Sequence, residues 1–337
     1  MHGKSLSIAG LRDRPYGARL SLVKALHVQG KPFRSFVLTY MSDGLKVFAR
    51  LNVPRAEPPA AGFPVIVFAH GFSPQPLDPD YFQRPYYERW TDAYAEAGFV
   101  VIAPGYRGHG IVNGETADGA EVRERYAELH LTSPFYAIDV LNLVASLPTL
   151  AEIDWGDCGP SAPPQPLVDE RTLYLVAHSM GGDVALIVLT VTKRVQAASI
   201  WAGVCADIRD VTRFYAAHEG SRTPAAPTVE AKLAAIASTV AAEPFCVADA
   251  AALNGYYSLA DLSTPLVIHQ GTRDPAIPTE WCLNLHAELA RLGKTSRLYL
   301  YEGNDHELSL NDAHETAVQR DIAFFCAHAP SDQRRHR

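Results

Sequence analysis

The sequence predicts an α/β fold, with a mostly parallel eight-stranded sheet lying between layers of helices. Three observations predict it. Short apolar runs recur at 64–69, 99–103, 173–177, 198–201, 266–269 and 297–301, continuous rather than alternating, as in strands covered on both faces. Helical stretches at 86–97, 135–147, 182–192, 280–292 and 314–328 separate them, several ended by Gly or Pro: Gly98, Pro148 and Gly293. Strand and helix alternate along the chain, and right-handed crossovers then place helices on both faces of one sheet.

Taken in order, residues 1–32 precede the first strand signal and read as an N-terminal arm packed on the body. Runs 33–40 and 46–53 flank Ser42-Asp43-Gly44, a turn signal, and form an antiparallel hairpin. Segment 151–170 is rich in Pro and Gly and reads as an excursion loop before the strand at 173–177. The stretch 206–262 breaks the alternation. It holds the alanine-rich run 228–242 and the aromatics Phe214, Tyr215, Phe245, Tyr256 and Tyr257. A structureless loop of that length does not suit a compact domain, so it is expected to be a small helical cap inserted after strand six. The core then comprises 33–205 and 263–328, and 329–337 form a disordered tail.

With 337 residues, 47% of them hydrophobic, the chain can bury a sizeable core. Lys plus Arg number 30 and Asp plus Glu 37, a net charge of −7 that argues against a nucleic-acid-binding surface. The basic cluster Arg334, Arg335 and Arg337 reads as a solvated end. No apolar stretch reaches the roughly 18 residues of a membrane span. The N-terminus has no apolar signal region, so a cytoplasmic location is expected, a removed signal being the alternative. The five cysteines are scattered, without metal-ligand spacing, and are expected to be reduced thiols. No metal or cofactor is expected. Oligomeric state is open, a homodimer through the arm or a sheet edge being one option.

The chemistry centres on Ala177-His178-Ser179-Met180-Gly181, directly after an apolar run. A serine between small residues, where a strand turns sharply into a helix, is pushed into a strained conformation that presents its Oγ above the sheet. A serine hydroxyl needs a base to take its proton and an acid to orient that base. After the next strands come Gly271-Thr272-Arg273-Asp274 and Glu302-Gly303-Asn304-Asp305-His306. Ser179, Asp274 and His306 all fall just beyond strand ends, the edge where open parallel sheets bind ligands. Asp207 and Asp210 remain alternatives for the acid, and Asp305 reads as a turn residue. The backbone N–H groups of Phe72, in His70-Gly71-Phe72, and Met180 are candidates for an oxyanion hole, where one donor is worth about 3–4 kcal/mol in the transition state. His178, His109 and His70 read as structural.

These residues resemble the α/β-hydrolase superfamily, and within it the esterase and prolyl-oligopeptidase-type (S9) catalytic domains. The resemblance rests on Ser42-Asp43-Gly44-Leu45, His70-Gly71-Phe72, Tyr106-Arg107-Gly108-His109-Gly110, the turn at Ser179 preceded by Val168-Asp169 and Arg171, and the Asp274 loop. It covers residues 33–328. Ala177 departs from the commoner Gly but is small enough for the turn. The chain also has no room for the large propeller that gates oligopeptidases. The resemblance implies a Ser-His-Asp acyl-enzyme mechanism.

Tyr106, Trp201, Phe214, Tyr256 and Tyr257 are candidates for an aromatic substrate pocket, with core packing as the competing role of each. No acidic pair suggests a site for a substrate amino terminus. The expected substrate is a small-molecule carboxylic ester, with aryl or hydroxycinnamoyl esters among the candidates. An acyl-peptide or small amide hydrolase is the alternative. A catalytically silent binding module is the remote one, since such proteins lose the serine or histidine and here both stand.

Overall fold

The computed structural model describes residues 6–73, 75–83, 85–156, 163, 166–222, 228–242 and 258–330. Its strands are β1 Ser21–Leu26, β2 Phe33–Ser42, β3 Leu45–Pro54, β4 Phe63–Ala69, β5 Val100–Pro104, β6 Ile111–Val112, β7 Glu115–Thr116, β8 Val168–His178, β9 Ala197–Trp201, β10 Leu266–Gly271 and β11 Ser296–Tyr301. Its α-helices are α1 Ile8–Arg12, α2 Glu88–Glu96, α3 Ala120–Tyr126, α4 Ser133–Ser146, α5 Met180–Val191, α6 Ile208–Arg222, α7 Val229–Ala242, α8 Thr279–Arg291 and α9 Ala313–Ala327.

The main sheet has the order β1-β2-β3-β5-β4-β8-β9-β10-β11. From β5 to β11 every neighbour is parallel, and β1, β2 and β3 join antiparallel at one edge. The central strands β4 and β10 are buried along their whole length, which their unbroken apolar runs require.

Two expectations are corrected. The sheet has nine strands among the described residues rather than eight. The stretch expected as an arm packed on the body supplies the ninth, with Leu26 of β1 opposite Ser35 of β2. It was hidden because β1 is a half-exposed edge strand containing Lys24, with no continuous apolar run. The second correction concerns Ser133–Glu152, where α4 and the following 3₁₀ turn form a 20-residue run apolar enough to cross a membrane. It is 78% buried within the protein, so its hydropathy is that of a core helix.

The cap region is helical where described, as α6 and α7. Tyr215 of α6 ties it to the body by donating to the Ala276 carbonyl, at 3.2 Å. Beneath the site, Asp139 of α4 joins two motif loops. It accepts from the Arg107 guanidinium at 2.7 Å, the Arg107 amide at 2.8 Å and the Ser42 hydroxyl at 2.6 Å. All three residues are buried, and a buried charge pair satisfied this fully holds its loops in one geometry. The tail at 331–337 lies outside the described residues.

Candidate active site

Ser179 stands between β8 and α5 with φ 56° and ψ −125°, a conformation costly for a residue bearing a side chain. The surrounding backbone holds it there. Its N–H donates to the Trp201 carbonyl at 3.0 Å, and its carbonyl accepts from Gly182 and Val204, both at 2.9 Å. Gly181 is required by close approach of β4, since a Cβ there would lie 2.8 Å from the Ala69 carbonyl carbon.

Asp274 follows β10 and His306 follows β11, and they meet: Nδ1 of His306 is 2.7 Å from Oδ2 of Asp274. The Asp274 side chain is fully buried. Its Oδ1 accepts from the N–H groups of Ala276 and Ile277, at 2.8 and 2.9 Å. Its Oδ2 also accepts from Nε2 of Gln270 at 3.1 Å. The Cys282 thiol donates to Oε1 of Gln270, which orients the amide. These bonds fix the carboxylate in place and leave Nε2 of His306, whose side chain is one-fifth exposed, facing away from the acid. Asp207 caps α6 by accepting from the Arg209 N–H, and Asp210 pairs with Arg213. Neither meets His306. Asp305 is a turn residue, accepting from the N–H groups of Glu307 and Ser309.

Of the three histidines read as structural, His178 packs against His306, with ring centroids 4.6 Å apart. Nε2 of His178 is 3.0 Å from the His306 carbonyl, to which it donates. Burial, reinforced by the neighbouring His306 charge, lowers its pKa to about 3, so it stays neutral. Burial likewise lowers His70 to about 4 and His109 to about 3. His70 donates from Nδ1 to the Gly71 carbonyl at 2.7 Å, which shapes the turn before Phe72. The Tyr87 hydroxyl takes the Gly71 N–H. Phe72 and Met180 both line the cleft beside Ser179. Among the described residues, neither of their backbone N–H groups donates to a protein acceptor.

The cleft has a volume of about 620 Å³ and holds Ser179 and His306 in one wall system, with Tyr87, Tyr136, Tyr215 and Met180 among its sides. The aromatic pocket expectation is largely corrected. Tyr106 is fully buried, stacked 4.2 Å from His70, and supports the turn before Phe72 by donating to the His70 carbonyl. Trp201 is core, its indole N–H given to Asp321 at 2.8 Å. Phe214 packs on Trp281 outside the cleft, whereas its neighbour Tyr215 lines it. Tyr256 and Tyr257 lie outside the described residues.

Several lining residues escaped sequence reading: Tyr136 and Ser133 from α4, Arg123 from α3, His130, and Asp183 from α5. Asp183 stands in the first turn of α5, four residues after Ser179. Burial raises its pKa to about 7. Among the described residues no cluster of side chains suits a metal ion.

A sequence-family model, the alpha/beta hydrolase family, matches residues 66–319. Solved structures share the fold. The acylaminoacyl peptidase of Pyrococcus horikoshii superposes with a TM-score of 0.62 at 18% identity, over 89% of this chain and 42% of that one. The acetyl xylan esterase from Paenibacillus sp. R4 gives 0.58 at 17% identity, over 94% and 92%. A puromycin-hydrolyzing peptidase of Mycobacterium tuberculosis gives 0.58 at 17%, over 88% and 39%. The chain thus spans about two fifths of the length of either peptidase. No curated protein matches in sequence.

Proposed function

Since the chain belongs to the alpha/beta hydrolase family, we propose that it is a serine hydrolase cleaving carboxylic esters through an acyl-enzyme. The observation that carries this reading is the 2.7 Å His306–Asp274 pair, which lines one cleft with a serine held in a strained strand-to-helix turn. In the first step Ser179 Oγ bonds to the ester carbonyl carbon while its proton passes to Nε2 of His306. The carbonyl oxygen becomes an oxyanion, taken by the N–H groups of Phe72 and Met180. The C–O bond to the alcohol breaks as His306 returns the proton to the departing oxygen. Water then repeats the sequence on the acyl-serine and releases the carboxylic acid. Asp274 keeps the imidazole in the productive tautomer and stabilises its charged form.

Aromatic walls at Tyr87, Tyr136 and Tyr215 support aryl-containing esters. Amide cleavage, as in the acyl-peptide reading, uses the same steps with an amine departing. The test is turnover of p-nitrophenyl acetate by wild type and Ser179→Ala, with circular dichroism to show that the fold survives. Loss of turnover to background supports the assignment, and retained turnover overturns it. A panel of esters and acyl-peptide amides of matched acyl group then separates esterase from amidase.

A further inference from the structure

One carboxyl group in the cleft has no part in the steps above. Asp183 stands in the first turn of α5, four residues after Ser179, and lines the same cleft. It is 5% exposed and lines the cleft together with Ser133 and Tyr136. Its partner is the Ser133 hydroxyl of α4, and among the described residues no cationic side chain pairs with it. Arg123 of α3 lines the same cleft, but its charge acts on His109 and Tyr136. Cys205, after β9, is a buried thiol pushed upward by its hydrogen bond with Cys282 and by burial, with the Asp183 carboxylate acting in the same direction. A buried carboxylate with only hydroxyl and thiol neighbours is costly to ionise, and its depth raises its pKa to about 7. An incoming group with positive charge and N–H donors would supply what the protein does not.

The side of the cleft matters too. Asp183 and Ser133 belong to α5 and α4, and α4 packs over β2, β4 and β5, on one side of β8. Asp274 and His306 follow β10 and β11, on the other side. The departing alcohol must sit against His306, which protonates it. The opposite wall is left to the acyl group.

We propose that Asp183 binds an ammonium group on the acyl part of the substrate, which makes amine-bearing esters such as aminoacyl esters the preferred class. The placement on the acyl side rests on the serine-hydrolase reading; the amine site itself does not. Calorimetry on Ser179→Ala therefore comes first, with 2-phenylethylamine, 2-phenylethanol and 4-ethylphenol as probes near neutral pH. The amine is expected to bind about tenfold or more tightly than either neutral probe, a ratio that falls to near one when Asp183→Asn is added. Turnover comes second, with L-phenylalanine methyl ester against methyl 3-phenylpropanoate. Each kcat/KM is divided by the ester's rate with hydroxide. A preference of about tenfold or more for the amine in wild type, lost in Asp183→Asn, supports the proposal. Equal binding of amine and alcohol by a protein with Asp183 intact overturns it, without requiring any variant to fold. Tighter binding of 4-ethylphenol overturns it in favour of a phenol site. If Ser179→Ala retains turnover, the acyl-enzyme reading fails while the calorimetry still decides the amine site.

Discussion

A methyl group on Gly71 would stand 2.7 Å from Cβ of Ser179, and nearer still to the Tyr87 hydroxyl. The turn that presents the Phe72 amide thus passes the serine with no room for a side chain. Gly71→Ala must push the turn away or displace Tyr87, which accepts the Gly71 N–H. One oxyanion donor moves out of line, and kcat should fall about 100- to 1000-fold. Steady-state kinetics on p-nitrophenyl acetate check this, and a fall of less than tenfold would place the oxyanion donors elsewhere.

Asp274 and Asp207 should separate cleanly. Asp274→Asn keeps the size of the group but lets it donate, so the His306 ring loses the acceptor that fixes its tautomer, and kcat should drop about 10³- to 10⁴-fold. Asp207→Asn only changes the cap of α6, with a cost of about 1 kcal/mol or less in stability and little in kcat. The reverse ranking would move the acid to the loop after β9.

Gln270 offers a finer test of the same site. Its Nε2 donates to the Asp274 oxygen that also faces His306, and the Cys282 thiol fixes its orientation. Gln270→Leu removes one bond to the carboxylate. The carboxylate is then held less firmly in line with the His306 ring, so kcat should fall about tenfold with KM little changed. A fall of less than twofold, or a KM that rises as much as kcat falls, would make Gln270 a packing residue alone.

The parts of this molecule legible in the sequence are those that local chemistry determines. β4, β8 from Leu173 onward and the start of β10 are buried on both faces, so those stretches had to be apolar. Ser179, Asp274 and His306 stand out in the sequence because Gly or Pro residues mark the strand ends beside them. β1 was missed because an edge strand needs no such run, and α3 because seven residues carry too little periodicity. Tyr106 and Trp201 looked like pocket walls since both sit at strand ends. Which way they face depends on packing against His70 and Asp321, residues distant in sequence from one or the other. In sequence Asp183 is one more acid in a helix's first turn, and only Ser133 and the cleft around it distinguish it.

Three buried histidines around the cleft contribute to the acid limit of stability. His70, His109 and His178 are buried and neutral, with pKa values lowered to about 4, 3 and 3. In the unfolded chain each takes a proton below about pH 6.5. The unfolded state then binds more protons, so stability is full above about 6.5 and falls as the pH drops towards 4. Each contributes up to about 3–5 kcal/mol across that window. Urea midpoints should therefore fall steeply between pH 6.5 and 4, and His109→Gln should flatten the slope. An unchanged slope would mean that this ring is charged in the folded protein.

Asp183 acts with the opposite sign. Its pKa is near 4 in the unfolded chain and about 7 in the folded protein. Between those values the folded state holds the extra proton, so this carboxyl's contribution weakens as the pH rises from about 4 to about 7, then levels off. Asp183→Asn has the same shape, cannot ionise and can still accept from Ser133. The variant should be more stable than wild type at neutral pH by up to about 4 kcal/mol, with the difference vanishing near pH 4. Denaturation curves at pH 4, 5.5, 7 and 8.5 measure it. A difference independent of pH would show that the carboxyl is already ionised at low pH. Retaining an acid where its amide is more stable is what a binding site for a cation requires, so this measurement bears on substrate choice as well as on folding.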